Sequence, residues 1–347
     1  MQNYNCKNCG AELYWDTKAL CLKCKYCDST YQVTDFEDAT ENVETKEPEH
    51  IESEYATSEI KEEMVVYECK NCGGEVVALE TTMATICPYC SEAISITSKS
   101  VGEFRPSVCI PFSIDKKQAM EIYKKYVHKS FLTPKKFKEQ NTVEKIQGLF
   151  TPFHLHSMKD TSYHQLTGET TSASRSGYDR VITHRVYDMD VQAVGSFTRI
   201  PIDGAKRVDD KLMEAIEPFD YKDIKEYNPA YMAGFVAEQT DDDEEVISNR
   251  AELRAKQSMT EKAKSQFSEI LSKRVINEQH TIADKSTEYA MLPIWLLNVK
   301  HGDKKYTFAV NGQTGKVTGV LPLNVGKLLL ICTGIFAVAD ILGGLLL

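Results

Sequence analysis

Between Phe104 and Pro322 the apolar and polar positions alternate as in a folded body. IPFSIDKKQAMEIYKKYVHKS opens as a strand through Ile110 and meets Asp115 as an N-cap. It continues as an amphipathic helix, with Ala119, Ile122, Tyr123, Tyr126 and Val127 recurring at helical spacing. Thr133-Pro134 predicts a second helix start. Period-two runs predict strands around Gly148–Met158, Tyr163–Thr171 and Val181–Phe197, with Pro201 at an edge or strand end. Helices are predicted near Asp210–Ile216 and, long and charged, over Glu244–Arg274. Strands follow near Tyr289–Lys300, Lys304–Val310 and Lys316–Leu321, the last two joined by the turn Asn311-Gly312-Gln-Thr-Gly315. Strands and helices do not alternate in βαβ fashion, so the expected body is α+β and antiparallel.

Outside that body the pattern changes. Residues 328–347 are largely apolar and carry a single charge, Asp340, and are long enough at about 1.5 Å per residue to reach about 30 Å. This predicts a C-terminal transmembrane helix over 327–347, a tail anchor that leaves the N-terminal bulk in the cytoplasm, with Lys327 and the earlier lysines on that side. Asp340, with Ala339 and Gly343 as small neighbours, is then expected to face a second membrane helix, in a homo- or hetero-oligomer.

Charge divides the chain further. The formal net charge is −10, and Asp35–Glu63 alone, with 12 acids against Lys46 and Lys61, accounts for all of it. That stretch has few large apolar residues and reads as a solvated, self-repelling linker. The body is neutral in sum but polarised, basic over 115–145 and acidic over 203–245. The acidic balance argues against a general nucleic-acid binder, which needs clustered Lys and Arg.

The cysteines carry the clearest chemistry. Nine of 11 lie in the first 90 residues, behind a polar start that has no secretory apolar region. Cys6-x2-Cys9-x14-Cys24-x2-Cys27 recurs as Cys69-x2-Cys72-x14-Cys87-x2-Cys90, every matched position 63 apart. Tyr4, Gly10, Glu12 and Tyr26 match Tyr67, Gly73, Glu75 and Tyr89 in the same register. Two CxxC knuckles flanking a hairpin-sized insert present four thiolates to a tetrahedral ion, so the expected cofactors are two Zn²⁺ ions. Cys21 falls opposite Ala84 in the repeat and is a spare thiol: a small core residue, with a redox or replacement ligand as the alternative. Tyr4, Tyr14, Trp15, Tyr26 and Tyr31 could stack bases, bind protein or fill the ribbon. Weak ribbon charge favours protein.

Catalytic motifs are missing: there is no GxSxG, HExxH, GxxxxGK[ST] or GxGxxG. His154 and His156 share a strand face and could join His164 at a metal, although ordinary half-buried histidines suit the spacing better. Cys109 reads as a small hydrophobe, and Asp241–Glu245 as an acidic start to the long helix.

The order of ribbon, acidic linker, ribbon, PFSIDKKQAMEIYKKY, KIQGLFTPFHL, EPFDY, YNPAYMAGFVAE and NGQTGKVTGVLP resembles a family of bacterial membrane-anchored zinc-ribbon proteins. Its members are often labelled TFIIB-type zinc-ribbon or primosomal-helicase-like. The helicase label rests on the cysteines, and this chain has no nucleotide-binding motif. The resemblance implies a scaffold in envelope maintenance, with phage-shock-type coat and flotillin-like proteins as partners.

The expected organisation is zinc ribbon 1 (1–34), disordered linker (35–63), zinc ribbon 2 (64–100), α+β domain (101–322) and transmembrane helix (327–347). The expected function is a non-enzymatic scaffold that docks proteins at the cytoplasmic face of the lipid bilayer. A flexible linker of this length spans about 30 Å, leaving the first ribbon free to capture partners. A membrane-tethered nucleic-acid binder and a thiol- or metal-responsive sensor are the alternatives.

Overall fold

The structure is a computed structural model describing residues 4–39, 50–51, 64–68, 75–79, 82–86, 93–95, 106–140, 142–176, 179–205, 209–238, 240, 243–301 and 304–345. The N-terminal strands are β1 (Leu13–Asp16), β2 (Cys21–Cys24), β3 (Thr30–Tyr31), β4 (His50–Ile51), β5 (Met64–Glu68), β6 (Glu75–Leu79), β7 (Thr82–Ile86), β8 (Ala93–Ser95) and β9 (Val108–Cys109). Then come α1 (Lys116–Lys129), α2 (Lys135–Gln140), β10 (Thr142–Ser176), β11 (Asp179–Asp203), α3 (Asp210–Ala215), β12 (Lys225–Glu226) and β13 (Val236–Glu238). The chain ends with α4 (Glu244–Ser265), β14 (Ser272–His301), β15 (Lys304–Asn311), β16 (Val317–Gly319) and α5 (Val325–Leu345).

The fold is mostly antiparallel β-sheet, which corrects the α+β expectation. Three long strands account for the difference. β10 and β11 run 35 and 25 residues as one hairpin, with a bulge between His156 and Met158. The polar stretch Lys159–Ser162, which lies between the expected strands Gly148–Met158 and Tyr163–Thr171, stays in register opposite Val194–Ser196 and Ala193. β14 claims Ser272–Arg274 from the expected end of the long helix, which stops at Ser265 with Gln266 as its cap. A half-exposed strand of polar composition shows little hydrophobic alternation, so pairing rather than pattern makes these residues extended.

The expected transmembrane helix is also corrected. Val325–Leu345 is helical, but among the described residues no helix is long and apolar enough to cross a membrane. The tail anchor and the placement at the cell membrane fall with it. The side chains of Ala339, Asp340 and Gly343, expected to mediate oligomerisation, lie outside the described residues.

The chain divides into two compact units. Unit 1 comprises residues 1–152, 205–240 and 291–347. Its sheet places β9 between β12 and β14, and β13 between β10 and β7, with β15 and β16 beyond β14. Its core is aromatic: Phe112 stacks on Phe235 at 4.1 Å and meets Phe150 and Trp295 edge-on. Asp115 caps α1 as expected, in a reciprocal pair with Gln118.

The turn after β15 locks this unit. Asn311 is buried; its Oδ1 accepts the N–H groups of Gln313 and Thr314 at 2.9 and 3.0 Å. Its Nδ2 donates to the carbonyls of Ile216 and Pro218 at 3.1 and 3.3 Å. Gln313 exchanges bonds with both backbone groups of Asp220 (2.7 and 2.8 Å) and donates to Asp223 Oδ2 at 2.8 Å. NGQTG thus holds the PFDY loop. Gly312 is required because a Cβ there would lie 2.6 Å from the Phe112 ring.

Unit 2 comprises residues 153–204 and 241–290. Here α4 lies on the sheet. Ile247, Ala251 and Ala255 pack with Met158 and Ile202, and Ala263 with Leu166, Met189, Val191 and Ile270. The alanines at four-residue spacing let the helix approach closely. Asp243 caps α4 through the N–H of Glu245, so the acidic run does serve the helix start.

Candidate metal centre

The first cysteine cluster forms as its spacing requires. The Cys6–Cys9 knuckle turns at Gly10, whose φ of 74° is the left-handed conformation glycine adopts freely. β1 and β2 pair with Leu13 opposite Cys24, returning the second knuckle to the first. Cys6, Cys9, Cys24 and Cys27 place their sulfurs within 4.8 Å of one another. Cys6 Sγ lies 3.4 Å from Cys27 Sγ, and Cys9 Sγ lies 3.5 Å from both Cys24 and Cys27. Four sulfurs about 2.3 Å from a tetrahedral ion stand about 3.8 Å apart, so the donor set fits a metal ion.

The surrounding groups complete the cluster. Tyr31 Oη lies 3.2 Å from Cys6 Sγ, Ser29 Oγ 3.1 Å from Cys27 Sγ, and the Tyr26 N–H donates to Cys24 Sγ at 3.4 Å. The thiols have very different proton affinities. Cys6 is lowered to about 6, first by the Tyr31 hydroxyl and then by knuckle amides. For Cys9 the Ala11 amide bond lowers the value, but the neighbouring thiols Cys27 and Cys24 and burial outweigh it and push the thiol to about 12. Adjacent thiols cannot all shed protons without a compensating cation.

Cys21 is buried on the face of β2 opposite Cys24, outside the cluster, and its thiol is pushed up, first by burial and then by Asp16. That is the environment of an inert core thiol. Cys109 is likewise buried, its thiol pushed up to about 12 by burial. The second set, Cys69, Cys72, Cys87 and Cys90, lies outside the described residues.

The first ribbon is fastened to the body, which corrects the picture of a module free on an arm. Trp15 Nε1 donates to the Phe112 carbonyl at 3.1 Å, its ring meets Tyr231 edge-on at 5.0 Å, and its N–H bonds the Ala233 carbonyl at 3.2 Å. Lys18 pairs with Asp115 at 3.4 Å. The second tryptophan, Trp295, donates to Ile114 O at 2.8 Å, so both indoles grip one short segment. Of the five ribbon aromatics, Tyr4 and Trp15 are buried and Tyr26 is 82% exposed at the second knuckle.

The expected histidine group rearranges. His154 and His156 do share a buried face, their rings 6.4 Å apart, with His154 stacked on Tyr289 at 5.3 Å. Burial and then the neighbouring His156 hold His154 down to about 4. His164 is elsewhere, edge-on to His280 at 5.1 Å. Sequence reading missed His280 and Glu278. The one available signal was their two-residue spacing inside a polar run.

No protein-family model matches the chain, and no solved structure matches it. A Bacillus subtilis (strain 168) protein described as uncharacterized protein YdjG is 28% identical over 326 residues, covering 94% of this chain and 91% of the relative. The likeness therefore runs through ribbon and body together, and its description names no activity.

Proposed function

We propose that the chain is a non-enzymatic adaptor that docks partner proteins through a zinc-stapled N-terminal ribbon. The observation that carries this reading is the four-sulfur cluster at the tip of a ribbon whose other side is pinned by Trp15. Four thiolates in tetrahedral reach suit Zn²⁺, which supplies the stability that a ribbon this small cannot draw from a core. The repeat extends the proposal to a second Zn²⁺ on Cys69, Cys72, Cys87 and Cys90.

Pinned on one side, the ribbon presents its knuckle end, with exposed Cys9, Cys27 and Tyr26, as a rigid tip. A rigid exposed aromatic is a common anchor in protein interfaces. The lysines nearby are partly engaged, Lys23 with Asp28 at 3.1 Å and Lys25 with Glu12 at 4.0 Å, which leaves little field for phosphate. Phage-shock-type coat and flotillin-like proteins are the first partners to assay.

The test compares cross-linked co-purification by the full chain, Tyr26→Ala and Cys24→Ser. Partners should be lost from both variants, and no DNA or RNA should bind at low salt. An identical partner set from all three proteins, or salt-steep nucleic-acid binding, overturns the reading.

A further inference from the structure

We infer that unit 2 holds a second kind of metal site, a two-histidine, one-carboxylate centre for a divalent first-row transition ion, made by His164, His280 and Glu278. Their donor atoms lie within 4.8 Å of one another. His164 Nδ1 is 3.8 Å and His280 Nε2 4.0 Å from the same oxygen, Glu278 Oε2. Those separations are too long for hydrogen bonds, and the two nitrogens are buried without any hydrogen-bond partner. A buried imidazole nitrogen left unpaired costs free energy, and two facing one carboxylate mark a place built for a shared ligand.

Each ring is aimed by its other nitrogen. His280 Nδ1 lies 2.7 Å from Oδ2 of the fully buried Asp160, and His164 Nε2 lies 3.0 Å from Ser162 Oγ. Glu278 is steadied by Thr260 Oγ1, which donates to Oε2 at 2.9 Å from α4. A carboxylate behind a ligating histidine fixes its tautomer and raises its basicity. Asp160, Ser162 and His164 alternate along β10, and Glu278 and His280 along the neighbouring β14, so each strand turns its set to one face.

The donor set decides the class of ion. Two imidazoles and one carboxylate suit Zn²⁺ or its first-row neighbours. Donors about 2.1 Å from a tetrahedral ion stand about 3.4 Å apart, and the half-exposed Glu278 can swing to close the difference. Three protein ligands leave a position open on the Glu278 side, where water or a small anion can bind.

The test uses the full chain, stripped with chelator and titrated with Zn²⁺ or Co²⁺. Wild type should take up one ion more per chain than His280→Ala. Glu278→Gln, at a half-exposed position, and Asp160→Asn should each weaken that ion 10- to 100-fold. The sulfur-to-cobalt charge-transfer band of the ribbon should stay unchanged in all three variants, so failure of the ribbon and failure of this site are separately visible. Equal ion counts and equal affinity in wild type, Glu278→Gln and His280→Ala overturn the assignment.

Discussion

Two buried polar clusters, one in each unit, contrast in how completely they are satisfied. Around Asn311 every donor and acceptor of the amide is used, and Gln313 closes the circuit through Asp220 and Asp223. Around Asp160, one oxygen of the carboxylate and one nitrogen of each of His164 and His280 are left without partners. A closed network specifies one arrangement of the chain. An open one of ligating atoms keeps an unspent binding capacity. The first locks loops together, whereas the second waits for a ligand.

The largest effect should come from opening the closed cluster. Asn311→Ala strands the Ile216 and Pro218 carbonyls and two turn N–H groups, and is expected to cost roughly 3–5 kcal/mol in denaturant unfolding. The loss should be indifferent to chelator. A loss that disappeared on adding metal would break the contrast.

Next in size is Trp15→Ala, expected to cost about 3 kcal/mol and to expose the ribbon to protease while its four-cysteine cluster keeps its capacity for a metal ion. Unchanged proteolysis would mean the ribbon is not held by that indole.

Unit 2 also has a pH signature, from a histidine pair apart from the open cluster. His154 is held to about 4 by burial and by His156, whereas an unfolded histidine titrates near 6.5. Between those values the unfolded chain binds the proton and the folded one does not, so stability should fall as pH drops from about 6.5 toward 4, by up to about 3 kcal/mol. Urea melts of wild type and His154→Gln across this window check it. Parallel slopes would remove the assignment.

The smallest effect is at the surface. Lys18→Ala, which breaks the exposed pair with Asp115, should cost less than about 1 kcal/mol and vanish in high salt.

Legibility followed distance along the chain. The ribbon was readable because Cys6, Cys9, Cys24 and Cys27 sit in one hairpin, where knuckle spacing and Gly10 dictate geometry. The Asp115 cap and the NGQTG turn were readable for the same reason. The His280–Asp160 pair joins residues 120 apart, one from the gap between two expected strands and the other from a stretch whose polar composition hid a strand. The contact between Trp15 and Phe112 spans 97 residues and had no local sign either.

By itself the sequence determined the four-thiol knuckles and their repeat at 63 positions, the helix starts at Asp115 and Asp243, and the turn at Asn311. Each follows from bond geometry and hydrogen bonding within a few residues. Only the tertiary structure decided that the ribbon docks on the body, that NGQTG clasps the PFDY loop, and that His164 meets His280 rather than His154 and His156. Those outcomes depend on the register of long strands, where a slip of one residue turns every side chain to the opposite face.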